Sequence, residues 1–368
     1  MPAVWLDLGI AAAKTLLVLL MVLNLSAILL WVERKGSALI QDRIGANRAN
    51  ILGGLLPFNL GIVNTLIADP IKMFTKEDVV PAGADKVLHF LGPFLAVFPV
   101  VVTFAAIPFG DVLVIGDRTI DLQVAGLNVG ILYVLAMSSL AVYGVVLGGW
   151  ASNSRWALLG AIRGSAQMIS YEIAMGLALI GAIMTFGTLD LQEIARAQGA
   201  HVLGVIPAWG ILYQPLGFLI FLVAGVAETK RVPFDLPEGE SELISGYFTE
   251  YSGSKQAAFM LSDFAEIVVV SGLATTLFFG GWQVPFLGRE GWNLPGGVTL
   301  AMPHLAVVAL QLVSFTVKVF ALCCLQILVR WSLPRYRYDQ LMDLGWKRLL
   351  PLALVNVLVT GLVIVLAS

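Results

Sequence analysis

Apolar residues in this chain do not alternate with polar ones at the period of a strand or of a half-buried helix. They run on for the length of a membrane crossing. Eight such runs of roughly 19 to 26 residues could each span a hydrocarbon core about 30 Å thick at 1.5 Å per residue. They cover residues 8–32, 90–109, 129–150, 168–186, 205–227, 257–282, 304–329 and 349–367. Inside hydrocarbon every backbone polar group must be satisfied within a helix or a closed barrel, and runs of this length choose the helix. The predicted fold is an all-α, polytopic integral membrane helical bundle of about eight transmembrane helices, one membrane domain over residues 1–368. Asp7 precedes the first run, no basic region leads into it, and its apolar stretch is too long for a cleaved signal. It is expected to stay as a span.

Two connections are much longer than a helix turn requires, and long ordered loops are usually functional. The first covers 33–86. Its residues 55–74 mix apolar positions with Asn59, Asn64, Asp69 and Lys72, which predicts an amphipathic helix in the membrane plane, its regularity limited by Pro57 and Pro70. The second covers 228–256 and is acidic. Glu228, Asp235, Glu238, Glu240, Glu242 and Glu250 place six of the 24 acidic residues within 23 positions, on a backbone stiffened by Pro233 and Pro237. The glycines from Gly160 to Gly164 read as close helix contacts.

Composition narrows the function. With 58% hydrophobic and 12% charged residues and a mean hydropathy of +0.89, a soluble enzyme is excluded, and a net charge of -2 gives no field for nucleic acid. Seventeen of the 22 Lys and Arg fall in the connections after runs one, three, five and seven. By the positive-inside rule those connections face the cytoplasm and both termini lie outside. Cys323 and Cys324 are adjacent in an apolar run, His89, His201 and His304 are isolated, and no dinucleotide fingerprint is present. No electron carrier is therefore expected on this chain, and any redox chemistry must come from a partner.

Five ionisable residues lie inside or against the runs: Glu172, Glu228, Asp263, Glu266 and Lys318. A charge at mid-span costs roughly 2.5 to 3.5 kcal/mol on insertion scales, so such groups face the bundle interior, water or a partner. Asp263 and Glu266 are three apart and share a helix face, an arrangement suited to passing a proton. Lys318, near the middle of its run, cannot snorkel and is expected to pair with Glu172, Asp263 or Glu266. A self-contained cation/proton transporter would also use such acids, but neither half of the chain echoes the other as paired transporter repeats do.

The ordered polar motifs resemble one family. Glu33-Arg34-Lys35 and Arg43-Ile44-Gly45-Ala46-Asn47-Arg48 are similar to the corresponding region of the H-type subunit of respiratory complex I, the proton-pumping NADH:quinone oxidoreductase. So are Ala68-Asp69-Pro70-Ile71-Lys72 with Thr75-Lys76-Glu77-Asp78, Gly149-Trp150-Ala151-Ser152-Asn153-Ser154, and Ser170-Tyr171-Glu172. The strongest likeness runs from Ala227-Glu228-Thr229-Lys230-Arg231 through Pro233-Phe234-Asp235-Leu236-Pro237-Glu238-Gly239-Glu240-Ser241-Glu242-Leu243 to Thr249-Glu250-Tyr251-Ser252-Gly253, followed by Leu333-Pro334-Arg335-Tyr336-Arg337-Tyr338-Asp339. The chain departs from the family pattern in a longer 43–69 segment, in Asp263 where many members carry Glu, in the added acid Glu266, and in Ser139 where some place a carboxylate.

The resemblance implies a subunit of the bacterial cytoplasmic (inner) membrane that walls a quinone-reduction cavity and carries a carboxylate path for protons. It implies that Glu33, Arg34, Arg43, Asp69, Lys72, Arg231, Phe234, Asp235 and Arg335 lie near the quinone, and that Glu172, Glu228, Glu238, Glu240, Glu242, Glu250 and Asp263 line the path, to which the residues themselves add Glu266 and Lys318. It further implies quinone as substrate, FMN and iron–sulfur clusters in partner subunits, and no cofactor bound by this chain. The homologous subunit of a membrane-bound hydrogenase shares the fold, and the full Glu238 to Glu242 acid series favours the quinone enzyme. The charge asymmetry predicts that a reporter fused at Ser368 reads outside and that a cysteine at Gly239 is labelled only from inside; the reverse of either would overturn the orientation.

Overall fold

Most of the apolar runs form single helices that overshoot the hydrocarbon they have to cross. The computed structural model describes residues 2–45, 62, 64–116, 118–202, 206–289, 291–294 and 298–367. In chain order the α-helices are α1 (Pro2–Ile40), α2 (Asp69–Thr75), α3 (Lys86–Thr103), α4 (Gly130–Ala151), α5 (Arg155–Phe186), α6 (Leu191–Ala197) and α7 (Gly210–Tyr213). They continue with α8 (Pro215–Glu228), α9 (Glu240–Leu243), α10 (Gly253–Phe278), α11 (His304–Ser332), α12 (Tyr338–Asp343) and α13 (Leu350–Ala367). Seven segments among the described residues are long and apolar enough to cross a membrane, and the chain is a multi-pass helical membrane protein.

The predicted fifth span, 205–227, is not one helix. Residues 203–205 lie outside the described residues, Ile206–Pro207 form a short strand, α7 makes one turn, and only Pro215 starts a lasting helix. Proline lacks the N–H that a first turn leaves unused, so it suits that position. At 14 residues α8 is about 21 Å long, short of a hydrocarbon core of about 30 Å. Of the predicted in-plane helix over 55–74, residues 55–61 and 63 lie outside the described residues. The rest is a π-helical turn (Asn64–Ala68) leading into α2, with Ile67 exposed on the turn and Ile71 and Phe74 exposed on the helix.

Helix α10 is the centre of the bundle: 78% of its apolar window is buried, against 22% for the segment ending in α13. It packs on α1, α3, α8 and α11, while α4 and α5 continue the layer from α3, and α13 closes over α5. Helices α3 and α4 meet at backbone contact. A Cβ at Gly144 would fall 2.7 Å from the Ala96 Cα, so only glycine permits the approach. Gly164 makes the expected close helix contact, a Cβ there lying 3.3 Å from the Val145 side chain on α4, and both glycines also meet the acidic connection. A Cβ on Gly160 would lie 2.8 Å from the Pro237 carbonyl oxygen and one on Gly164 3.2 Å from the Pro237 ring, so these glycines seat the acidic connection on α5.

Short antiparallel hairpins cap the end away from that connection: β1 (Val112–Ile115) with β2 (Arg118–Asp121), β3 (His201–Val202) with β4 (Ile206–Pro207), and β5 (Leu287–Gly288), β6 (Gly291–Leu294) and β7 (Val298–Ala301) in one sheet. Asp111 ties them together, pairing with Arg196 at 2.8 Å and Arg289 at 3.0 Å while its N–H donates to Gln311.

Lys318 belongs to the same end, and its expected pairing with an intramembrane acid is not what the structure contains. Its ammonium donates to the carbonyls of Phe279 (2.9 Å), Gly281 (3.0 Å) and Gln283 (2.6 Å) and lies 4.8 Å from the centre of the Trp209 ring. The turn that follows α10 presents three carbonyls beside the negative pole of the helix, and an ammonium has three donors to satisfy them. Lys318→Met is expected to cost about 3 kcal/mol through the loss of charged hydrogen bonds, read as a lower melting temperature in mild detergent. Lys318→Arg should recover part of the loss, and an unchanged melting temperature in Lys318→Met would contradict this capping role.

Candidate functional site

Midway along α10 the sequence places Asp263 and Glu266 one helical turn apart, and the fold brings a buried cation to both. Lys230, just past the end of α8, is 1% exposed and lies 3.1 Å from Asp263 and 3.2 Å from Glu266. Burial alone would lower its pKa, but the Glu266 and Asp263 carboxylates override it and hold the pKa above the usual lysine value. Arg231 follows, 4.0 Å from Asp263 and stacked over the Phe264 ring at 4.5 Å. Two adjacent cations in a connection therefore neutralise two carboxylates in a helix.

The connection is held in this position by uncharged contacts. The Gln167 side-chain amide on α5 donates to the carbonyls of Ala227 (2.7 Å) and Phe234 (2.8 Å), fixing the chain before and after the two cations. Phe234 stacks on Tyr336 with ring centres 5.5 Å apart and leans on Tyr171 at 5.7 Å. Asp235 pairs with Arg335 at 2.7 Å, and the neighbouring Arg330 pairs with Glu33 at 2.5 Å, so α1, the acidic connection and the end of α11 converge. Burial raises the Asp235 pKa against the opposing pull of Arg335. Glu238 is pushed up to about 8 by burial and by the Asp263 carboxylate, against Arg231, so it holds its proton at neutral pH.

A second tier lies deeper. Glu228, the last residue of α8, is buried within electrostatic reach of Glu172 on α5 and of Glu266. Ser139 on α4 donates to Glu172. Glu228 and Glu266 both line a cavity of about 30 Å³ with Thr103, Ser138 and Met168, large enough to hold water. The tiers share Glu266, which touches Lys230 on one side and the cavity on the other. Glu228 Oε2, Asp235 Oδ1 and Arg231 Nε are buried with no hydrogen-bond partner among the described residues. Each such atom costs about 1 to 3 kcal/mol, so their clustering marks a site rather than packing.

Other expected residues lie apart from this array. Arg34 pairs with Asp69 at 2.8 Å, joining α1 to α2, and Arg43 donates to Gln41. Lys72 is exposed, and Glu242 is exposed and paired with Arg163 at 2.7 Å. Glu250 is half-buried beside His89, and the Glu240 side chain lies outside the described residues. Two members were missed from the sequence. Lys230 was counted only among the cations flanking a span. Tyr247, fully buried, faces Asp263, Glu238 and Glu266, and burial together with those carboxylates lifts its phenol pKa well above the usual value.

Breaking the array by Lys230→Met leaves two buried carboxylates without their cation and is expected to cost about 3 to 5 kcal/mol, read as loss of the assembled protein from the membrane. Adding Glu266→Gln should restore part of it, since the neutral amide no longer needs the ammonium. A normal level in Lys230→Met would contradict a shared ion pair.

Known proteins carry the same arrangement of sequence from end to end. The family model described as NADH dehydrogenase matches residues 13–361. The first of the NADH-quinone oxidoreductase H subunits of Geobacter metallireducens is 48% identical over 366 residues, covering 100% of both chains. The second H subunit of Geobacter sulfurreducens is 49% identical over 364 residues, 99% of each, and the H subunit of Thermomicrobium roseum is 45% identical over 362 residues, 98% of this chain and 97% of its own. With full-length similarity at this level, the chain belongs to the NADH dehydrogenase family, among relatives named as H subunits of NADH-quinone oxidoreductase.

Proposed function

We propose that this chain is the membrane subunit of an NADH:quinone oxidoreductase that walls the quinone-reduction cavity and links quinone reduction to proton translocation. The observation that carries the reading is the charge array, which runs from Asp235 and Arg335 through Arg231, Asp263, Lys230 and Glu266 to Glu228 and Glu172. On this reading the subunit crosses the bacterial cytoplasmic membrane eight times, with α8 as a short crossing, both termini outside and both long connections facing the cytoplasm. Its partners are the other membrane and peripheral subunits, quinone and lipid. FMN and iron–sulfur clusters, held by partner subunits, supply the electrons.

Reduction of a quinone to a quinol takes up two electrons and two protons, so the site must meet negative charge and then deliver protons. Arginine meets the charge best, because its guanidinium stays ionised and presents a fork of donors. Arg34 pairs with Asp69 and Arg335 with Asp235, so a carboxylate helps to orient each cation. A change of charge near Asp235 or Arg231 reaches Asp263 directly, and through Lys230 it reaches Glu266. Closely spaced acids respond to such a change by shifting their protonation together rather than one at a time. The water-sized cavity then leads from Glu266 to Glu228. Glu240 and Glu242 belong to the same connection as this array, so their loss is expected to slow quinone turnover and proton transfer together.

Arg34→Ala is expected to lower quinone reduction while leaving the reduction of hexacyanoferrate, a water-soluble acceptor served by the peripheral subunits, intact. Equal loss of both activities in a complex that assembles normally would contradict the assignment of Arg34 to the quinone rim.

A further inference from the structure

A second buried group, distinct from the acidic array, joins the two long connections. His89, in the first turn of α3, has no exposed surface, and its ring stacks on Tyr251 with centres 4.0 Å apart and planes 10° from parallel. The His89 Nδ1 lies 3.3 Å from the Lys255 ammonium, which in turn pairs with Asp78 at 2.8 Å. Between them Ser252 fastens the same junction: its hydroxyl oxygen accepts the Val79 N–H at 2.8 Å and its O–H donates to the Glu77 carbonyl at 3.2 Å. Residues 77–79 are thus tied to residues 251–255, the stretch that leads from Glu250 into α10.

An ammonium can only donate, so Nδ1 is the acceptor and the imidazole facing Lys255 is neutral. The groups facing His89 come from every element around it. They are Lys255, Tyr251 and Glu250 from the α10 side and Asp78 from the first connection. From its own helix start comes Asp85, whose carbonyl accepts the His89 N–H at 2.8 Å and whose carboxylate caps α3. From α4 comes Gly148, whose carbonyl accepts the Tyr251 hydroxyl at 3.1 Å. Protonating the ring removes the acceptor of Lys255 and sets an imidazolium against an ammonium where little water can screen them.

We propose that His89 and Lys255 form a proton-sensitive positioning pair: with neutral His89 the pair locks residues 77–79 onto the acidic connection, and protonation of His89 releases them. The proposal rests on the quinone reading above, because the released segment continues α2, which carries Asp69 of the proposed rim. Neither residue touches the quinone. The pair acts by holding Asp69 and, through it, Arg34 in register with the acidic connection.

Amide hydrogen exchange in the purified complex tests the lock without reference to activity. Exchange of the peptide containing Val79 is compared with that of a control peptide of the same subunit, which cancels the intrinsic pH dependence. In the unmodified protein the relative rate should climb as pH falls between about 7.5 and 5.5, approaching roughly tenfold per pH unit, the slope that uptake of one proton imposes. His89→Gln keeps an uncharged acceptor and should abolish the climb. Quinone reductase activity should fall over the same pH range relative to hexacyanoferrate reduction in the same membranes, and stay level in His89→Gln. Should that variant fail to assemble, Lys255→Met gives the same test, since a protonated ring then has no ammonium to repel. A climb of equal size in the variants, or none in the unmodified protein, overturns the pair. Exchange that responds as expected while quinone turnover does not would leave the lock standing and overturn the quinone reading on which its role rests.

Discussion

An ammonium with 1% of its surface exposed, held between two carboxylates on one helix, is the interaction on which the rest of this protein's acidic end depends. Taken singly, Lys230, Asp263 and Glu266 would each be costly to remove from water, and removing any one leaves the others uncompensated. Together they fix where α8 ends relative to α10. That joint decides the course of the acidic connection, because Arg231 leaves it toward Asp263 and Phe264 while Glu228 turns back toward the cavity. The neutral contacts follow. Gln167 reads the connection on both sides of the joint, Pro237 drops onto Gly160, and Phe234 stacks on Tyr336.

The end and the middle of α10 contrast instructively. At one end Lys318 meets three backbone carbonyls, which cannot change their protonation, and the hairpins above it are clasped by Asp111 between two arginines. At mid-helix Lys230 meets two carboxylates, which can. One lysine makes a fixed cap and the other sits in a group able to respond to a change of charge nearby. A central helix, pinned at its end and carrying an ion pair at its middle, is suited to passing a local charge change along that half of its length.

The apolar runs made most of the helices legible, since hydrocarbon tolerates no other way of satisfying the backbone. The fifth run misled because apolar content alone cannot reveal a break: a strand ending at Pro207 and a single turn precede the helix that starts at Pro215. Charge was legible as an expense but not as a pairing. Lys318 lies at mid-run and invited an acidic partner, whereas Lys230 stands next to an arginine just past a run and carries no local mark of burial. Which cation met Asp263 and Glu266 depended on where α8 ends and how the connection after it folds, information that no local pattern between Lys230 and Glu266 carries. Tyr247 was invisible for the same reason: nothing local marks a tyrosine in a one-turn helix as the neighbour of three acids.

Glu266 is shared by the Lys230 pair and the water-sized cavity, so it is the residue where charge sensing and proton passage meet. Simultaneous recording of quinone reduction and proton movement in vesicles carrying the complex with Glu266→Gln therefore tests the account most directly. If the shared array links the two processes, both rates fall together and the protons moved per quinone reduced stay constant. Normal quinone turnover with fewer protons moved would mean that Glu266 belongs to a passive route, and would contradict the linkage.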